Sequence, residues 1–227
     1  MRKFLQRILS KPVSDLADKL SSKPNKQRVH TALSKLYDKI SSGHEKKGLL
    51  IEFKPIEKSF IIFSDQHKGA KDGSDDFAFS EKNYLAALEY YNQKNFHFIS
   101  LGDSEELWEN SLSTVEKCNA KSFEIEKLFQ QRNAFTKVFG NHDLDWDNSP
   151  LASFELEKTY GQKVPIYEGV ILKTKEENPL RIFLTHGHQG DELSDGNWFS
   201  NGSLQKFGLR YRHTFPLIPI HLHFKTT

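Results

Sequence analysis

Four hydrophobic runs in this chain each end in a short polar cluster, and that pattern restricts the fold more than any other feature. Phe60-Ile61-Ile62-Phe63 leads into Asp65-Gln66-His67, and Phe96 to Leu101 leads into Gly102-Asp103 with Glu106. Phe135 to Phe139 leads into Gly140-Asn141-His142-Asp143, and Ile182-Phe183-Leu184 leads into His186-Gly187-His188. Apolar runs of this length, rich in β-branched and aromatic residues, read as buried strands. Polar residues at the C-terminal mouths of such strands converge on one rim, where open α/β sheets hold their ligands.

Helical patterns alternate with these strands. Phe77 to Asn95 carries Leu85, Leu88 and Tyr91 on one face, Val115 to Arg132 carries Phe123, Leu128 and Phe129, and Leu151 to Tyr160 reads as a short helix. Leu49 to Phe53 and Ser59 to Ser64 read as paired strands around a Lys54-Pro55 turn. Val164 to Tyr167 and Val170 to Leu172 read as a second pair, and Arg181 to Thr185 as the strand that delivers His186. This alternation predicts α/β layering.

Charge divides the chain. Residues 1–50 hold 12 Lys+Arg against 4 Asp+Glu, while the remainder holds 20 against 26. The basic part reads as helical: Phe4, Leu5, Ile8 and Leu9, then Val13, Leu16 and Leu20, form one apolar stripe. After the breaker Ser21 to Asn25, the residues Val29, Leu33, Leu36, Tyr37 and Ile40 form another. Two readings stand side by side. These helices either contact an anionic membrane or nucleic acid through their lysines, or pack on the domain and expose an ordinary solvated face. The acidic remainder does not suit a nucleic-acid groove but suits a site that collects divalent cations. We therefore divide the chain into a basic helical appendage, 1–48, and a motif-bearing domain, 49–227. The single cysteine, Cys118, excludes an intrachain disulfide and fits a reducing, cytoplasmic setting.

The ligand types in the clusters point to a metal centre. Mixed carboxylate, amide and imidazole donors suit Mn²⁺, Fe or Zn²⁺ rather than a thiolate-bound structural ion. On an extended strand end Asp65 and His67, two apart, would point to the same side and grip one ion. Lys68 to Gly73 then reads as a flexible basic loop that could face a phosphate. The Asn141 carboxamide is a neutral ligand. His142 beside it is placed to approach a leaving-group oxygen, with Asp143 fixing its tautomer. Glu105 and Glu109 read as surface charges.

Taken in order, Asp-x-His, Gly-Asp-x-x-Glu, Gly-Asn-His-Asp and a further His resemble the calcineurin-like metallophosphoesterase superfamily over about Leu49 to Asp191. The resemblance implies a layered αββα sandwich holding two divalent ions, Mn²⁺ first, with Fe or Zn²⁺ as alternatives. It implies Asp65, His67, Asp103, Asn141 and His186 as metal ligands, with Asp103 as the bridge. Glu106 becomes an orienting group, His142 and Asp143 the catalytic pair, and His188 a residue lining the site. The activity it implies is hydrolysis of a phosphomonoester or phosphodiester by metal-activated hydroxide. The stretch Gly102 to Glu109 is similar to the UDP-diacylglucosamine hydrolase branch, which implies a small-molecule or lipid-linked phosphate ester. General phosphomonoesters and nucleotides stay open.

The family's closing Gly-His-x-His block has no match after His186. His221-Leu222-His223 has Ile220 where the glycine belongs, and Phe215 to Pro219 is a poor central strand because proline cannot donate to a ladder. The sandwich is therefore expected to be incomplete at its C-terminal end, with His221 and His223 lying away from the rim. The alternative to an active phosphoesterase is a weakened or non-catalytic binding module lacking the last ligands.

Overall fold

The computed structural model describes residues 11, 25–43, 47–73, 75–144, 146, 151–190 and 220–222. In chain order their helices and strands are α1 (Lys26–Ser41), β1 (Gly48–Phe53), β2 (Phe60–Phe63), α2 (Phe77–Gln93), β3 (His97–Leu101), α3 (Leu112–Cys118) and α4 (Ala120–Gln131). There follow β4 (Phe135–Val138), α5 (Ala152–Tyr160), β5 (Ile166–Tyr167), β6 (Gly169–Thr174), β7 (Arg181–Thr185) and β8 (Ile220–Leu222). The fold is mixed α/β.

Two sheets form, with strand orders β1-β6-β7 and β5-β4-β3-β2-β8. In the larger one β2, β3, β4 and β5 are parallel, so their C-terminal ends share one edge. Side-chain alternation sorts the apolar residues into separate layers. Phe60 and Ile62 of β2, Ile99 and Leu101 of β3 and Val138 of β4 pack against Phe53, Val170, Leu172 and Leu184 of the smaller sheet. Ile61, Phe63, Phe98 and Phe135, on the opposite face, pack against Phe77, Tyr84 and Leu88 of α2, Phe123 and Phe129 of α4, and Leu156 and Tyr160 of α5. Each such side chain, fully buried, contributes about 1.5–3 kcal/mol by removal from water.

Helix α1 covers the outer face of the smaller sheet. The Asn25 carboxamide caps it, accepting from the backbone of Gln27 at 2.9 Å and Arg28 at 3.2 Å. Leu36 and Ile40 bury against Ile171 of β6, and the Tyr37 ring meets Phe183 of β7 edge-on at 5.6 Å. This second amphipathic stripe thus packs on the smaller sheet through Leu36, Tyr37 and Ile40. The first stripe, Phe4 to Leu20, lies outside the described residues.

Three local expectations are corrected. β1 and β2 are not partners: β1 pairs with β6 and β2 with β3, in different sheets. The second expected pair also separates, β5 joining β4 and β6 joining β1 and β7. The helix expected over Val115 to Arg132 is broken at Asn119. There the carboxamide donates to Val115 O at 2.9 Å and to Gly69 O at 2.7 Å, so the break ties the helix to the loop after β2.

Candidate metal centre

The rim residues come together at the shared edge of β2, β3 and β4, with His186 arriving from β7 of the other sheet. Asp103 is the centre, its side chain almost wholly buried. Its Oδ2 lies 3.1 Å from His186 Nε2 and 3.7 Å from His67 Nε2, and its Oδ1 accepts from the His142 backbone at 2.8 Å. Asp65 Oδ1 lies 4.0 Å from His67 Nε2, and Asn141 Oδ1 lies 3.2 Å from His186 Nε2. Ligand atoms of Asp65, Asp103 and His186 all fall within 4.8 Å of one another, as do those of His67, Glu106 and His142.

The backbone that achieves this is unusual. Asp65, His67 and Asp103 adopt φ of 57°, 48° and 50°, the left-handed region. Such conformations cost about 1 kcal/mol or more for residues other than glycine and concentrate at functional sites. The expected extended strand end therefore gives way to a tight curl in which His67 N donates to Asp103 O at 2.9 Å and Asp65 N to Gly102 O at 3.2 Å. Gly102 and Gly140 are required by space. A β-carbon on Gly102 would meet the His186 ring at 2.5 Å, and one on Gly140 would meet Asp103 N at 2.6 Å and His186 Cδ2 at 2.8 Å.

Electrostatics hold Asp103 ionised. Burial pushes its carboxyl up, but the His186 hydrogen bond and the neighbouring His186, His142 and His67 outweigh it and bring it down to about 2. Burial likewise opposes charge on His186, yet Asp103, Asp65 and Asp143 raise the imidazole to about 9. His67 is raised too, Glu106, Asp103 and Asp65 together overcoming its burial.

Asp143 does not orient His142. Its carboxylate is fully buried and accepts three backbone N–H bonds: Gly140 at 2.5 Å, Ser104 at 3.0 Å and Asp103 at 3.3 Å. Burial and the charge of Asp103 push it up to about 6. Asp143 is thus a clamp between the loops after β3 and β4. The orienting role falls to Glu106, whose carboxylate meets His142 Nδ1 at 2.8 Å and His67 Nδ1 at 3.0 Å. The two rings sit edge to face at 4.5 Å, and Trp108 stacks on His142 at 3.7 Å. That aromatic support has a sequence signal only in hindsight: Trp108 is two residues past Glu106.

Two further expectations are corrected. Glu105 is completely buried, whereas Glu109 is exposed. The loop after His67 is not a free basic arm: Lys68 is buried against Glu126 and Glu105, and Lys71 pairs with Glu81 at 2.7 Å. His188 is buried, its ring 5.6 Å from Phe139 and 5.8 Å from His186. β8 runs antiparallel to β2, with Ile220 opposite Ile62, His221 opposite Ile61 and Leu222 opposite Phe60, so its backbone leads away from the rim. His223 lies outside the described residues.

Comparisons with protein-family models, with curated proteins and with solved structures find no match to this chain. No helix among the described residues is long and apolar enough to cross a membrane.

Proposed function

We propose that this chain is a metal-dependent phosphoesterase acting on a small-molecule or lipid-linked phosphomonoester or phosphodiester. The observation that carries the reading is the placement of Asp103, an ionised carboxylate with imidazole nitrogens of His186 and His67 at 3.1 Å and 3.7 Å from the same oxygen. Four layers in the order helix, sheet, sheet, helices, with the site at the strand ends, support the resemblance to the calcineurin-like superfamily.

The donor set fits two divalent cations. Asp65, His67 and Asp103 would hold one, and Asp103, Asn141 and His186 the other. Carboxylate, amide and imidazole donors of this mixture suit Mn²⁺, Fe or Zn²⁺. When bound, such a pair supplies Lewis acidity toward phosphoryl oxygens and activates water. The remaining chemistry belongs to the chain. Glu106 accepts the Nδ1 proton of His142, and the ring protonated on both nitrogens would give its Nε2 proton to the leaving-group oxygen. The Trp108 stack holds that ring in place, so a proton can be delivered without a search over rotamers. Asp143 keeps the loops bearing Asp103 and Asn141 in register through its amide bonds.

The test is turnover of a chromogenic phosphomonoester and a chromogenic phosphodiester by the Mn²⁺-loaded full chain. Hydrolysis of at least one, abolished by Asp103→Asn, is expected. Absence of both activities, or full activity in Asp103→Asn, would refute the proposal.

A further inference from the structure

Directly beneath the rim lies a closed cluster of four buried charges. Lys68 Nζ contacts Glu126 Oε1 at 2.6 Å and Glu105 Oε1 at 3.2 Å, while Lys137 Nζ contacts Glu105 Oε2 at 2.7 Å and Oε1 at 3.0 Å and also donates to Ser104 Oγ. All four side chains are 0–1 % exposed. Neutral donors add to the carboxylates' partners: Tyr84 and Tyr160 hydroxyls donate to Glu126 at 2.7 Å and 2.6 Å, and Ser104 Oγ and Trp146 Nε1 donate to Glu105 at 2.7 Å and 3.0 Å. Two cations balance two anions.

Stability alone does not account for such a cluster. Desolvating paired charges costs about as much as their attraction returns, and apolar residues of similar volume often serve as well or better. What ion pairs provide is direction. Three of the four members also lie close to rim residues in sequence, while Glu126 reaches them from α4. Lys68 follows His67, Glu105 separates Asp103 from Glu106, and Lys137 lies on the strand that delivers Asn141 and His142. The backbones above are laced accordingly, Lys68 N donating to Ser104 O at 3.1 Å and Glu106 N to Lys68 O at 3.0 Å. The same stretches contain the left-handed residues Asp65, His67 and Asp103, which need restraint to persist.

We propose that the Lys68–Glu105–Lys137–Glu126 cluster is a positioning device that sets the spacing of the loops bearing Asp65, His67 and Asp103, and so tunes cation affinity without touching the cation. Supporting groups of this kind are worth about 10–100-fold in metal affinity. The inference rests on reading the rim as a metal site.

The experiment is calorimetric titration of the metal-free full chain with Mn²⁺ alone, in the parent and in Glu105→Gln/Lys137→Met, which removes one charge of each sign and leaves Lys68 with Glu126. Circular dichroism reports folding. The folded double variant is expected to bind Mn²⁺ about 10–100-fold more weakly, and Lys137→Arg with native Glu105 to recover part of the loss. A folded variant that binds as tightly as the parent would overturn the inference while leaving the metal reading intact. No Mn²⁺ bound by the parent would overturn both. Should the double variant not fold, Tyr160→Phe removes one hydrogen bond to Glu126 and leaves all four charges. Weaker binding by it supports the device, and unchanged binding overturns it.

Discussion

Replacing Asp143 by alanine isolates the clamp between the β3 and β4 loops. The carboxylate is fully buried and takes N–H groups from Gly140, Ser104 and Asp103, so its removal strands three donors at once. Each stranded donor costs about 1–3 kcal/mol, and water entering the vacated space restores part of that. The expected loss is then about 3–6 kcal/mol, a large share of the roughly 5–15 kcal/mol that holds a domain folded. Asp143→Asn keeps an oxygen for two of the three bonds and turns an NH₂ toward the third, so about half the loss is expected. The assay is urea unfolding at pH 7.5 with a chelator present, which removes the contribution of bound cation. A loss below about 1 kcal/mol for Asp143→Ala would refute the clamp, since three buried amides cannot be abandoned so cheaply.

Three more outcomes follow from the same geometry. His142→Ala should lower turnover by about 10²–10⁴-fold while Mn²⁺ content stays at the parent level; loss of the metal would make His142 a ligand instead. In the metal-free chain the His186 imidazole is raised to about 9, so it is protonated at neutral pH and must release that proton to bind a cation. Mn²⁺ affinity should therefore rise about tenfold per pH unit just below 9, more steeply at lower pH where His67, also raised, is protonated as well, and level off above 9. Calorimetry in buffers of different ionisation enthalpy reads the released proton, and a flat profile would contradict the assignment. Ile40→Ala, at the buried contact of α1 with β6, should cost about 2–5 kcal/mol in thermal unfolding, and an unchanged transition would show that α1 is detachable.

The strands and the rim were legible because buried strands write themselves as short apolar runs, and polar residues there have few roles besides a site. Pairing was not legible. Adjacent runs such as Leu49 to Phe53 and Ser59 to Ser64 look like a hairpin, yet layering sends them to different sheets. The charged residues misled for a related reason. Lys68 and Glu105 look like solvated surface because a buried charge is tolerable only beside a partner. Those partners lie far along the chain, Glu126 being 58 residues from Lys68 and Lys137 32 from Glu105. Asp143 adjoins His142 in sequence, but its carboxylate turns to the backbone, and Glu106, 36 residues away, takes the imidazole.

Metal content of the purified chain tests the central claim most directly. After loading with Mn²⁺ and removal of free ion, elemental analysis should give two ions per chain in the parent and a sharp drop in Asp103→Asn. A parent chain that retains no ion, or an Asp103→Asn chain that still holds two, would contradict the assignment of this rim as a dinuclear centre bridged by Asp103.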